Sequence, residues 1–247
     1  MIRILLLLSL VILVASFPLI NNWLSNNSTK PITDKDTIIS VIEEYISSYP
    51  QKVIELLTMG QAKLEKEELS ENIKTYKSEI EDFSYPSAGN KESKLVFVEF
   101  FDYSCGYCKM MLEDMKQVIK DGKVRVVFRD FPILGESSLK AVRAALAIHF
   151  INSEKYLDFY YAALGYKQQF NDDSILDIVT SIGVSEEDFK VSLAKNSDLI
   201  DKMIESTKDL AQKLNIRGTP AIIVGNTFIG GATDLSTLRS KIDEESK

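Results

Sequence analysis

The chain has 247 residues, 45% of them apolar and 26% charged, with a formal charge of −7. These ordinary globular values exclude a disordered or collagen-like chain, and the acidic balance argues against nucleic acid as a partner. Two cysteines and one histidine exclude a disulfide-stapled scaffold and most zinc sites, and leave His149 as the only histidine a Ser-His-Asp hydrolase could use.

The chain opens on MIRILLLLSLVILVASFPLI. Arg3, the apolar stretch Ile4–Val14 and the small residues Ala15-Ser16 form the pattern of a secretory signal peptide over residues 1–16. The competing reading is an uncleaved anchor to residue 20. Ile4–Ile20 is 17 residues without a charge, at the short limit for a span, and Pro18 interrupts it. Either way the remainder is delivered outside the cytosol, and a periplasmic or otherwise exported location is expected. Disulfides persist there, so two cysteines should be paired, reactive, or both.

Residues 17–35 read as a linker, polar from Asn21 on. Residues 36–85 read as an N-terminal helical segment. Ile38, Ile39, Ile42, Tyr45 and Ile46, then Val53, Ile54 and Leu57, fall near helical spacing around a break at Tyr49-Pro50. Leu69, Ile73, Tyr76 and Ile80 follow among lysines and glutamates. So narrow a seam resembles a coiled-coil face. Two readings stay open, an oligomerisation arm and a helix packed on its own domain.

Pro86–Asn90 reads as a second linker, and a domain occupies 89–247. Lys94–Asp102, KLVFVEFFD, is a buried strand. Cys105-Gly106-Tyr107-Cys108 opens a helix that ends at Asp121-Gly122, and Val124–Phe131 is a second strand closed by Pro132. From about 136 to 214 every segment has helical periodicity. So long a stretch is no loop in a compact domain, and it reads as a helical insertion. Ala221–Val224 and Thr227–Ile229 form a hairpin around Gly225-Asn226, and Asp234 caps a last helix. Strands mixed with helices in this order make an α/β domain.

The chemistry rests on Cys105 and Cys108. A cysteine at the head of a helix places its sulfur over free backbone N–H groups, where the helix dipole stabilises a thiolate. The second, one turn further in, is more shielded and is placed to attack a mixed disulfide on the first. Cys105 is therefore read as the exposed nucleophile and Cys108 as the resolving residue. A CxxC is also half a zinc site, but no second CxxC exists and the single histidine lies far along the chain. An inert structural disulfide is the other alternative, though so short a closed loop stabilises little. No metal and no cofactor are expected. His149 reads as a helix-face residue without a catalytic role. Tyr156, Phe159, Tyr160, Tyr161 and Tyr166 read as the core of the insertion, with some lining a peptide groove as the alternative.

VEFFDYSCGYC, the FPILG segment at Phe131–Gly135 and Gly218-Thr219-Pro220-Ala221 occur in an order that resembles the DsbA-like branch of the thioredoxin superfamily. The pattern is also similar to that of exported Com1-like and ScsC-like proteins, and the helix before the domain resembles the N-terminal segment of oligomeric relatives. The resemblance implies a thioredoxin-like α/β fold with a helical insertion and an N-terminal helical extension. It implies a protein-disulfide oxidoreductase with a redox-active Cys105–Cys108 disulfide and Gly106-Tyr107 as the active-site dipeptide. It makes Pro220 the family's cis-proline, presenting the Thr219 backbone to an extended substrate, with the Thr219 hydroxyl able to donate to a sulfur. Glu99 takes the place of the family's buried acid, a proton acceptor for Cys108. Read from the residues alone, Glu99 is either that or a solvated edge position. The family's best-known oxidase has Pro-His between its cysteines. Here Tyr107 offers a neutral phenol instead, so extreme oxidising power is not carried over.

The implied function is disulfide formation in unfolded or partly folded exported proteins, with a membrane redox partner reoxidising the pair. The alternative is an oligomeric isomerase or reductase, for which a homo-oligomer built on 36–85 would surround its substrate. From another class comes a periplasmic chaperone or interaction protein whose CxxC is incidental.

Overall fold

The computed structural model describes residues 34–247. The expected signal peptide and nearly all of the linker 17–35 lie outside the described residues. The chain divides into two units, one ending at Ala62 and one running from Lys63 to Lys247.

In the first unit, helix α1 (Lys35–Ser48) starts at Asp34, whose carboxylate accepts the Thr37 N–H at 3.1 Å. It stops at Tyr49, because Pro50 disfavours helical backbone in the residue before it and is itself suited to the first turn of α2 (Pro50–Thr75). Ile38, Ile42, Tyr45, Ile46, Ile54 and Leu57 are all exposed, and no residue of α1 is buried.

In the second unit, α2 continues to Thr75 and α3 (Lys77–Ile80) follows. Ile73 and Ile80 are buried, with Leu69 and Tyr76 packed beside them, against Val96, Val98, Phe100, Val127, Leu210 and Ile223. Residues 69–80 therefore pack on their own domain, one of the two readings of the seam.

Five strands form one sheet: β1 (Ser87–Gly89), β2 (Val96–Phe101), β3 (Arg125–Asp130), β4 (Ala221–Val224) and β5 (Thr227–Gly230), in the order β1-β3-β2-β4-β5. β2 and β3 are parallel and joined by α4 (Gly106–Asp121); every other pairing is antiparallel. β1 occupies residues read as linker. Three residues without a β-branched side chain carry no strand pattern, and only the ladder to β3 makes them one. Gly89 has φ +78°, and a Cβ there would meet the Val124 carbonyl oxygen at 2.7 Å, so the position needs glycine.

Between β3 and β4 come α5 (Glu136–Ile151), α6 (Ser153–Gly165), α7 (Asp172–Ser181), α8 (Glu186–Lys195) and α9 (Ser197–Lys213), and α10 (Leu235–Glu245) closes the chain. β2 is buried along its whole length, as a central strand covered on both faces must be. Phe97 and Phe101 join the larger core with α4, α5 and α6, while Val96, Val98 and Phe100 join the smaller one. The fold is thioredoxin-like α/β, with a helical insertion and an N-terminal helical extension. No helix among the described residues is long and apolar enough to cross a membrane.

Candidate active site

The site forms where β2 ends and α4 begins. Asp102, the first residue after β2, is fully buried and accepts four hydrogen bonds. Oδ1 takes the Ser104 N–H at 2.7 Å and the Ser138 hydroxyl at 2.6 Å. Oδ2 takes the N–H groups of Ile133 and Leu134 at 2.9 and 3.0 Å. Its backbone carbonyl accepts the Cys105 N–H at 3.0 Å. One carboxylate thus ties the cysteine turn to the Phe131–Gly135 loop and to the start of α5.

Cys105 is the N-cap of α4, with extended backbone, and Cys108 is in the first turn. Both thiols are free. Cys105 keeps 6% of its surface and Cys108 1%. The expectation of an exposed Cys105 is corrected accordingly: it is buried, and is only the more accessible of the two, because the loop before Pro220 covers it. The Cys105 thiol donates to the Thr219 carbonyl at 3.3 Å. That carbonyl is directed at the sulfur and keeps a second lone pair for another donor. The Thr219–Pro220 bond is cis. The Thr219 hydroxyl acts on Cys108, where it favours the thiolate.

Burial pushes the Cys108 thiol far above the ordinary thiol range, and the nearby Glu99 charge adds to it; the Asp102 backbone and the Thr219 hydroxyl oppose both. Glu99, at the centre of β2, has no exposed surface, so a solvated edge position is ruled out. Its carboxyl is pushed up to about 7, first by burial and then by the Asp130 charge, against a hydrogen bond from the Tyr160 hydroxyl to Oε2 at 2.8 Å.

Gly106 and Tyr107 lie in the first turn of α4. Tyr107 is 63% exposed and its hydroxyl bonds neither sulfur, because its place in the turn directs it outward. Met110, Ile133 and Leu134 are also exposed apolar residues. His149 lies in the last turn of α5, against the rings of Tyr156 and Phe150. Tyr156, Phe159 and Tyr160 are core residues, and Tyr161 and Tyr166 pack beside them. Among the described residues no group of three or more His, Cys, Asp or Glu side chains could hold a metal ion.

Sequence reasoning missed Asp102, Asp130, Arg129 and Lys109. The signal for two of them was present. An acid inside a buried strand singled out Glu99, and the same argument applies to Arg129 and Asp130 in VRVVFRDF, both buried. Lys109 gives no such signal. Its ammonium donates to the Tyr166 carbonyl at 2.6 Å, within electrostatic range of Cys105 and Asp102.

A cysteine pair at the head of the helix that joins the two central strands defines the class: a thiol–disulfide oxidoreductase on a thioredoxin-like scaffold. A family model described as the DSBA-like thioredoxin domain matches residues 96–243, and the chain belongs to that family. The thiol-disulfide exchange protein alpha-DsbA2 from Wolbachia pipientis is 48% identical, with a TM-score of 0.71 over 72% of this chain and 96% of that one. The catalytic domain of Proteus mirabilis ScsC is 29% identical, with a TM-score of 0.66 over 72% of this chain and 99% of that one. Disulfide bond formation protein D of Bacillus subtilis is 27% identical over 173 residues, 66% of this chain and 77% of the relative.

Proposed function

We propose that this enzyme forms disulfide bonds in exported proteins through Cys105 and Cys108. The observation that carries the reading is the asymmetry of the pair: one sulfur is partly accessible beside Thr219, the other sealed and raised by burial. A substrate thiolate attacks the Cys105 sulfur of the Cys105–Cys108 disulfide. A mixed disulfide forms and Cys108 leaves. A bare thiolate at so buried a sulfur is costly, and Glu99 is the acid placed to give it a proton. A second substrate thiolate attacks the substrate sulfur of the mixed disulfide, and Cys105 leaves as thiolate. The substrate is oxidised by two electrons and the pair reduced by two. A membrane redox partner then removes the two electrons, and the Cys108 proton returns to Glu99 as the disulfide re-forms. Thr219 and Pro220, beside Cys105, form the surface on which the substrate chain rests. Export rests on the signal pattern over residues 1–16, and the oxidising direction on relatives named for disulfide bond formation.

The exposed apolar faces of α1 and of α2 up to Leu57 favour a second reading, a homo-oligomeric isomerase or reductase joined through these helices. The equilibrium of the Cys105/Cys108 pair against glutathione separates the two. A potential near the oxidising end supports the oxidase, and one near the reducing end supports the alternative. Joint replacement of both cysteines by serine tests the third class, since a chaperone keeps its activity and an oxidoreductase loses it.

A further inference from the structure

Glu99 is not alone on its face of the sheet. In the parallel ladder Glu99 pairs with Phe128 and Phe101 pairs with Asp130. Side chains alternate along a strand, so Glu99, Phe101, Phe128 and Asp130 share one face. Asp130 is 2% exposed, in the same apolar surroundings as Glu99. Tyr156 and Tyr160 stand one turn apart on α6. Each serves one acid: the Tyr160 hydroxyl donates to Glu99, and the Tyr156 hydroxyl donates to Asp130 Oδ2 at 2.9 Å. The other oxygen of each carboxyl, Glu99 Oε1 and Asp130 Oδ1, is buried without a partner, and so is the Tyr103 hydroxyl between these elements.

We propose that Asp130 is a second proton-holding carboxyl of the redox site, coupled to Glu99 so that the two acids share a single proton while the cysteines exchange. The inference rests on the reading of Glu99 as the proton partner of Cys108.

Two carboxylates in an apolar core repel each other, and a nearby cation is what normally allows both to ionise. None faces them here. From β3 itself, Arg129 alternates to the opposite face, where its guanidinium lies 3.5 Å from the centre of the Tyr85 ring; its charge is the least of the influences on Asp130. From α4, Lys109 is directed at the Tyr166 carbonyl, and Cys108 adds no positive charge. From α5, half-buried His149 meets the edge of the Tyr156 ring, and burial lowers its affinity for a proton. From α6 come only the two phenols, and Tyr103 supplies a third. Burial raises Asp130 to about 7, the same range as Glu99, and the Asp130 charge raises Glu99 further. Coupled groups of this kind release their protons in two separated steps. The first proton lost is the pair's, and the second is held by whichever carboxyl the first charge repels. A proton on either carboxyl also removes the charge from an oxygen that is buried without a partner, and a neutral group in that position costs less than a charged one. Asp130 touches no reacting atom. It is a positioning residue for the proton that Glu99 exchanges with Cys108.

The test uses the full reduced chain and 5,5′-dithiobis(2-nitrobenzoate). Cys105 attacks the reagent, releases one thionitrobenzoate and keeps the other as a mixed disulfide. Cys108 then attacks the Cys105 sulfur and releases the second. The rate of this second phase is followed against pH. In the wild type it has an inflection near pH 7 that Glu99→Gln removes. Asp130→Asn moves the inflection down by about one unit. Tyr156→Phe moves it in the same direction by less, because Asp130 without its donor keeps its own proton and stops repelling Glu99. Should Asp130→Asn not fold, Tyr156→Phe decides. An inflection unmoved in Asp130→Asn and in Tyr156→Phe, while Glu99→Gln still abolishes it, overturns this inference and leaves the reading of Glu99 standing. An inflection that survives Glu99→Gln overturns both.

Discussion

The end of β2 and the middle of the sheet both bury acids, and they treat them in opposite ways. Asp102 accepts four hydrogen bonds from three separate segments. Glu99 and Asp130 accept one each, from a tyrosine, and each keeps one oxygen without a partner. Residue type and burial are alike; the number of donors differs. A carboxylate saturated by donors is an anchor, since any change leaves several buried groups unpaired. A carboxyl with one donor and no cation is held near its titration point, and that suits it to passing a proton. The anchor shapes the cysteine turn and the loop beside it, and the proton-holding pair lies underneath.

Removing the anchor is expected to have the largest effect. Asp102→Ala leaves the Ser104, Ile133 and Leu134 N–H groups and the Ser138 hydroxyl without their acceptor, and costs about 4 kcal/mol of stability by urea unfolding. Asp102→Asn should recover part of it. A loss under about 1 kcal/mol would show that water replaces the carboxylate and that the anchor is not one.

Glu99→Gln should act in the opposite direction. A carboxyl raised in the folded state contributes stability below its ordinary range, and that contribution is lost as pH rises through its folded value of about 7. Glu99→Gln is therefore more stable than the wild type by about 3 kcal/mol at pH 8 and no more stable at pH 4. An equal effect at both pH values would place the cost in packing and not in the charge.

The two cysteines sharpen the same contrast between sealed and accessible groups. Iodoacetamide on the reduced protein should label Cys105 at least about tenfold faster than Cys108. Preferential labelling of Cys108 would reverse the proposed roles. The smallest effect is expected at the surface that Asp102 holds in place. Leu134→Asp should change stability by no more than about 0.5 kcal/mol, while weakening the reaction with a reduced unfolded protein and not with a small disulfide. Equal loss with both reagents would remove the Phe131–Gly135 loop from substrate contact.

Much of this site was legible in the chain. Cys105 at the head of a helix follows from a CxxC after an apolar strand, and the break at Tyr49 follows from Pro50. Glu99 was visible as an acid out of place. Asp130 carried the same signal two residues before Pro132, but it lay near the strand end, where an acid looks ordinary. The segment from Ile38 to Ile80 read as helical throughout apart from a break at Tyr49-Pro50, yet Leu69, Ile73, Tyr76 and Ile80 join the core beside the sheet, while Ile38, Ile42, Tyr45, Ile46, Ile54 and Leu57 are exposed. The strand β1 had no pattern at all, because backbone pairing with β3 defines it.

Local rules account for the helix starts and stops, the continuous apolar strand, the cysteine spacing and the order of motifs, and all of these are readable along the chain. These depend on neighbours within about one helical turn or one strand. Which acids are anchored and which keep a free oxygen follows from contacts between distant segments. The partners of Asp102 lie up to 36 residues away and that of Glu99 lies 61 residues away. The state of a buried carboxyl depends on the donors that folding brings to it, and no local pattern records them.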